Sequence, residues 1–395
     1  MGSADTGTRL GLALLGYMLA VTLIVTLLPF QFHWPRQWRV LTDAQLFDVV
    51  ANVLLFMPLG FLYRLAFPST PGLRVLLLGA LLSVCIESAQ LFESARQTAV
   101  SDVVANALGA WLGALAFDRA ARSGRADGRL IGSLALELPL MALTYLLVPL
   151  LWVSSLAGGG VVRSALTILP GLFGAILLGG LQRNYFGPTS AARPGRTAVF
   201  AASWFLAGAF PLLARQPLYL GAGAAAVGTL AWLLGRSPVD VSASNRRFEV
   251  PLLKKAAPLY ALYLLMIVAM PLGGGFAGWR FSAGFPEFTS DQAEILLLLE
   301  VVAAFTLVGY MVAEFRGRSQ SHFGEALPTL AGWSLGLALA TEALRGYHQA
   351  YGASAARGIL LAGAVLYGGW LYHLQRAHVV RLLAVNRPDT RDAGR

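Results

Sequence analysis

The feature that most restricts this chain is a succession of apolar stretches of near membrane-spanning length, separated by short polar or basic runs. About 20 apolar residues in a helix cross a bilayer, and within the hydrocarbon every backbone amide must be bonded inside its own element. Twelve stretches fit: 10–32, 45–67, 72–91, 99–117, 130–153, 165–181, 197–214, 216–235, 256–274, 292–314, 326–344 and 357–375. Composition agrees, with 56% of the 395 residues hydrophobic and 13% charged, where ordinary globular domains carry about 25% charged residues. The expected fold is therefore all-α, a polytopic transmembrane bundle of about twelve helices. Arg9 precedes an apolar run to Phe30 with no small-residue cleavage site after it. That run reads as a retained first helix and not as a signal peptide.

The charges give an independent reading of the topology. With the N-terminus on the cytoplasmic side, 22 of the 30 basic residues fall at cytoplasmic ends and loops. Eight remain outside: Arg36, Arg39, Arg96, Arg163, Arg215, Arg280, Arg345 and Arg357. This asymmetry follows the positive-inside rule and puts both termini in the cytoplasm. The net charge of +10 is thus spread over topology signals and forms no basic patch with interleaved aromatics, so no nucleic-acid partner is expected. The single cysteine, Cys85, and five scattered histidines offer no disulfide and no metal-ligand spacing. The sequence names no cofactor.

Against this apolar background, three consecutive stretches carry acids and amides. "DVVANVLLFMPLGFLYRLAF" opens with Asp48 and places Asn52 four residues on; "CIESAQLFES" holds Glu87 and Gln90; "SDVVANALGAWLGALAF" holds Ser101, Asp102 and Asn106. Spacings of three and four put each set on one helix face. The alternation of crossings brings all three sets to the extracytoplasmic ends. A lone aspartate at a helix centre costs roughly 2.5–3.5 kcal/mol on insertion scales, so these faces should meet one another and not lipid. Gly109 and Gly113 allow close helix approach, and Pro58 removes one backbone bond from its helix. An interhelical packing network would also use such groups, but three carboxylates at one depth exceed what packing needs. Asp48, Glu87 and Asp102 are the candidate catalytic residues, with Glu87 as acid and Asp102, at a helix N-terminus, as its ionised partner. Asn52, Gln90, Ser101 and Asn106 are the candidate substrate-binding residues. Amides with carboxylates suit sugar hydroxyls, diphosphate-bridging cations or an ammonium group. No activated nucleophile is visible, since Ser101 has no histidine near it in sequence.

These residues resemble the VanZ-like family of bacterial integral membrane proteins. Its stretches of the form N-x-x-x-F-x-P-x-G, E-x-x-Q and D-x-x-x-N-x-x-G-x-x-x-G occur in order as Asn52-Phe56-Pro58-Gly60, Glu87-Gln90 and Asp102-Asn106-Gly109-Gly113. The resemblance spans residues 10–117 and implies a multi-pass protein of the bacterial cytoplasmic membrane. It implies a cell-envelope role linked to glycopeptide antibiotic resistance, with an envelope lipid or lipid-linked glycan bound or modified at the outer polar site. The alternatives are an accessory subunit of an envelope polysaccharide system, partnered by an envelope protein, and a proton-coupled transporter or lipid flippase. Whether any reaction is catalysed stays open.

Three units are expected: 10–117, a middle membrane unit at 130–235, and a degenerate internal repeat at 256–375. "VVAAFTLVGYMVAEF" aligns with "NVLLFMPLGFLYRLAF", setting Phe305 opposite Phe56 and Gly309 opposite Gly60. After a six-residue shift, Glu342 faces Glu87 and Gly368 faces Gly113. In that copy Leu297 and Val301 stand for Asp48 and Asn52, and Arg357 stands for Asp102. Glu342 is accordingly expected to pair with Arg345 or Arg357 near the outer surface.

Overall fold

The computed structural model describes residues 6–34, 40–41, 45–93, 98–127, 139–157, 160–186, 192–236, 249–269, 275–285, 292–316, 322–349 and 352–385. Its helices are α1 (Thr6–Leu27), α2 (Leu46–Ala66), α3 (Gly72–Gln90), α4 (Val100–Asp127), α5 (Pro139–Ala157), α6 (Val161–Leu166) and α7 (Ile168–Phe186). They continue with α8 (Ala192–Gly208), α9 (Leu212–Arg215), α10 (Pro217–Arg236), α11 (Glu249–Ala269), α12 (Gln292–Arg316), α13 (Phe323–Gly346) and α14 (Ala355–Val385). Every one of the twelve apolar stretches holds a long helix. Among the described residues, nine helical spans are long and apolar enough to cross a membrane, so the chain is a multi-pass membrane-helix bundle. Three expected spans fall short by length or composition: α8 has 17 residues, while α13 and α14 are diluted by charges such as Glu325, Glu342, Arg357 and Arg376. Arg36, Arg39, Arg96, the basic loop 237–248 and the tail 386–395 lie outside the described residues.

The centre of the bundle is formed by α5 and α12, the two most deeply buried spans, which pack on each other. Their sequences are apolar on nearly every face, as a helix surrounded by other helices must be, with Glu300 and Glu314 of α12 as buried exceptions. The periphery looks different. On α3, Leu73, Leu77 and Leu81 form an exposed stripe at a spacing of four, and Leu335 and Leu339 do the same on α13. In a bilayer such stripes face acyl chains, where exposure of leucine costs nothing.

Glycine sets the closest helix crossings. A Cβ at Gly60 would collide with the Ala110 carbonyl, and one at Gly113 with the Met57 carbonyl, so α2 and α4 touch backbone to backbone. The crossing of α12 and α14 is built alike: Gly309 lies against the Val365 carbonyl and Gly368 against that of Thr306. Two short parallel strand pairs tie the loops at one end of the bundle. β1 (Val40–Leu41) pairs with β2 (Thr98–Ala99), and β3 (Phe281–Ser282) with β4 (Ala353–Ser354). Isolated antiparallel bridges, Phe32 with Glu93 and Phe276 with His348, extend each tie. Pro58 is accommodated inside a continuous α2.

Two arginines sorted above as extracytoplasmic loop charges are internal. Arg163, on α6, is buried and pairs with Glu300 in the middle of α12, and Glu300 also accepts the Tyr263 hydroxyl at 2.7 Å. Arg357 is 0% exposed and binds Glu342 through two nitrogens, at 2.8 and 2.7 Å. The expected Glu342 ion pair therefore forms, with Arg357, and it is buried where α13 ends and α14 begins. The Arg345 guanidinium reaches instead to the Ile267 carbonyl, at 3.5 Å. Both acids end up beside an arginine because a buried charge without a partner is far costlier than a paired one.

Candidate functional site

At one end of the bundle α1, α3 and α5 finish and α2, α4 and α12 begin, and these ends surround a cavity of about 800 Å³. All seven residues singled out from the sequence line it. The first turns of α2 supply Asp48 and Asn52, the last turns of α3 supply Glu87 and Gln90, and the first turns of α4 supply Ser101, Asp102 and Asn106. The i, i+4 spacings put Asp48 over Asn52 and Asp102 over Asn106 on faces that look at each other, because the α2–α4 crossing at Gly60 and Gly113 holds the two helices in contact further down.

The polar groups differ in how they are held. Glu87 is buried, and its Oε2 accepts the Ala99 backbone N–H at 3.1 Å, while Thr98 donates its hydroxyl to the Glu87 carbonyl at 3.2 Å. This carboxylate thus satisfies an amide at the start of α4, where helices leave four N–H groups without intrahelical partners. Gln90 donates to the Thr26 carbonyl at 2.9 Å and joins α3 to α1. Asn106 is buried and donates to the Ser83 hydroxyl at 2.8 Å; its Oδ1 has no hydrogen-bond partner among the described residues. Asp102 is half-buried, receives hydrogen bonds from Asn52 and from the Ser101 hydroxyl (3.3 Å), and lies within electrostatic reach of the Asp48 carboxylate. Asp48 itself is exposed to the cavity mouth. Among the described residues no three of His, Cys, Asp and Glu converge closely enough to hold a metal ion.

The rest of the wall comes from regions that motif reasoning passed over. Trp152 and Leu156 of α5, Pro211, Ala214 and Arg215 around α9, and Gln292 and Leu296 of α12 close the cavity on the side away from α3. Arg215 is the cation of this wall and donates to the Leu156 carbonyl at 2.8 Å. These residues show no spacing pattern with the acids, because long-range packing alone brings them there.

A second cavity, of about 200 Å³, lies deeper along the same helices. On α2 it begins where the polar cavity ends: Asn52 and Leu55 line the first, and Leu54, Met57, Pro58, Phe61 and Leu62 line the second. At 1.5 Å of rise per residue, the two are offset by roughly 10 Å along α2. Leu14, Met18, Tyr145, Leu146, Phe200 and Trp204 complete an almost wholly apolar lining. A polar chamber at the bundle end thus sits over an apolar one in its interior.

The N-terminal helices that carry this site have relatives. No curated protein and no solved structure matches the chain. Residues 12–122, which contain all seven of these polar residues, match the model of the VanZ/LLP1 family, and the chain therefore carries a VanZ/LLP1-family domain there.

Proposed function

We propose that this protein binds an envelope lipid or lipid-linked glycan at the extracytoplasmic end of its VanZ/LLP1 domain, the polar head in the upper cavity and the hydrocarbon below. The observation that carries the reading is the stacking of the acid- and amide-lined cavity over the apolar one on the same helices. A purely structural polar network would need neither chamber. A soluble sugar or free ion would have no use for the lower one. Binding is favoured over acid–base chemistry because Glu87, the candidate acid, spends an oxygen on the Ala99 amide, and Glu342 spends one on the Ser354 amide at 2.7 Å in the same way. If the bound lipid is also modified, Asp48 and Asp102 are the acids placed to take part.

On this reading the chain makes twelve crossings of a bacterial cytoplasmic membrane with both ends inside, and residues 256–375 are a second copy of the VanZ-like unit that has lost its site. The matching glycine crossings, strand ties and glutamate–amide bonds of the two units support the second copy. With Arg163 and Arg357 assigned to internal ion pairs, the outer loops hold fewer free basic charges than a plain count suggests, which strengthens the orientation. Reporter fusions after Arg125 and Arg247 should give cytoplasmic signals and one after Arg96 an external signal; reversal at either basic loop would refute the count.

The functional test uses a glycopeptide-sensitive bacterial host expressing the full chain, with drug susceptibility and protein level read together. Asp102→Asn should abolish any protection at normal protein level. Glu342→Gln should lower the protein level and leave protection per molecule intact. The opposite pattern would place the working site in the C-terminal unit.

A further inference from the structure

The C-terminal unit shows what the fold does with a cation at the position of Asp102. There Arg357 follows β4 as Asp102 follows β2, is fully buried, and donates to both carboxylate oxygens of Glu342 and to the Gly352 carbonyl at 2.6 Å. Around that built-in guanidinium the other acceptors are gone: Leu297, Val301 and Leu361 stand where the N-terminal unit has Asp48, Asn52 and Asn106. The two units are alternatives. One carries its own cation and apolar residues at the three aligned positions; the other keeps two facing acids and an amide and has an acid where the arginine would be.

From this contrast we infer that the upper cavity takes the primary ammonium of a lipid head group, held between Asp48, Asp102 and the Oδ1 of Asn106. The inference rests on the lipid-site reading above and narrows it to a head-group class. Asn106 is 3% exposed and lines the cavity, and its Oδ1 lacks a partner among the described residues. A buried carbonyl oxygen in that state calls for a donor. A sugar hydroxyl would satisfy Asn106 but bring no charge to the two acids, Asp48 and Asp102, on the same wall. An ammonium answers both, with three N–H donors and one positive charge. It also tolerates acceptors spread at hydrogen-bond distances of about 2.8–3.0 Å, whereas a Mg²⁺ ion needs oxygens near 2.1 Å, and among the described residues no third acid, histidine or cysteine joins Asp48 and Asp102 to hold one. The apolar cavity beneath makes the bearer of the amine a lipid and not a free amine. Arg215, on the same wall, gives the head group's phosphate a cationic neighbour.

The test is native mass spectrometry of the purified full-length protein with three probes of identical acyl chains: phosphatidylethanolamine, phosphatidylcholine and phosphatidylglycerol. Wild type should retain the ethanolamine lipid about tenfold better than the other two. Asp102→Arg, which installs the cation found at Arg357, should bring it down to their level while keeping the thermal midpoint. If that variant does not fold, Asn106→Leu, matching Leu361, takes its place with the same expected loss of preference. Equal retention of all three lipids at a site that Asn52→Trp blocks would overturn the ammonium inference and leave the lipid site standing. Retention of none would overturn both. Loss of retention on adding a chelator would assign the acids to a metal ion and overturn it as well.

Discussion

Residues 46–127 and 292–385 solve the same packing problem with opposite electrostatics. In both, a helix pair crosses at glycines pressed onto backbone carbonyls, a glutamate at the end of the preceding helix accepts the amide three residues before position 102 or 357, and a two-residue strand pair clamps the loop. In the C-terminal unit the remaining charge is cancelled internally by Arg357. In the N-terminal unit Asp102 is buttressed by Asn52 and Ser101 and faces Asp48 across a cavity. What the difference teaches is that the glutamate belongs to the architecture, while the acids on α2 and α4 do not. The glutamate is present in both units, and the facing acids in one.

The largest expected effect breaks the self-sufficient unit. Arg357→Met leaves Glu342 buried without its guanidinium, a loss of about 3–5 kcal/mol for a buried pair. Thermal unfolding of the purified protein in detergent should show a large drop in midpoint, and the double variant Glu342→Gln with Arg357→Met should recover much of it. No drop for Arg357→Met would mean the pair is not holding the unit together. At the small end, Asp102→Asn keeps the size and the contacts to Ser101 and Asn52 while removing a carboxylate that faces another. Its stability should fall by no more than about 0.5 kcal/mol, or rise. A loss comparable to that of Arg357→Met would make Asp102 a structural residue, and the contrast between the units would fail.

The sequence made much of this legible. Twelve apolar stretches became twelve long helices because hydrophobicity over about 20 residues is a local property that the bilayer enforces directly. The acid–amide pairs were legible for a similar reason: Asp48 with Asn52 and Asp102 with Asn106 are one helical turn apart, and such groups in an apolar helix must find each other. Arg163 was read as a loop charge because a charge count registers only distance from an apolar run, not the carboxylate that waits inside the bundle. The signal was present in "LLLLEVVAAF", where Glu300 sits mid-helix and demands a cation. Trp152, Arg215 and Gln292 carry no such signal; they reach the cavity by packing between segments that are far apart in the chain. The apolar lower chamber was illegible for the same reason, since any of these helices shows leucines enough to line it.

The central claim is that the N-terminal unit holds a ligand where the C-terminal unit holds its own arginine. An experimental structure of the full chain in lipid nanodiscs containing phosphatidylethanolamine tests it most directly. The account predicts density for a head group among Asp48, Asp102 and Asn106, with a chain descending past Met57 and Phe61, and an intact Glu342–Arg357 pair with no ligand at the corresponding place. A map with Asp48 and Asp102 on opposite faces of the bundle, or with lipid seated at the C-terminal unit and the N-terminal cavity collapsed, would contradict it.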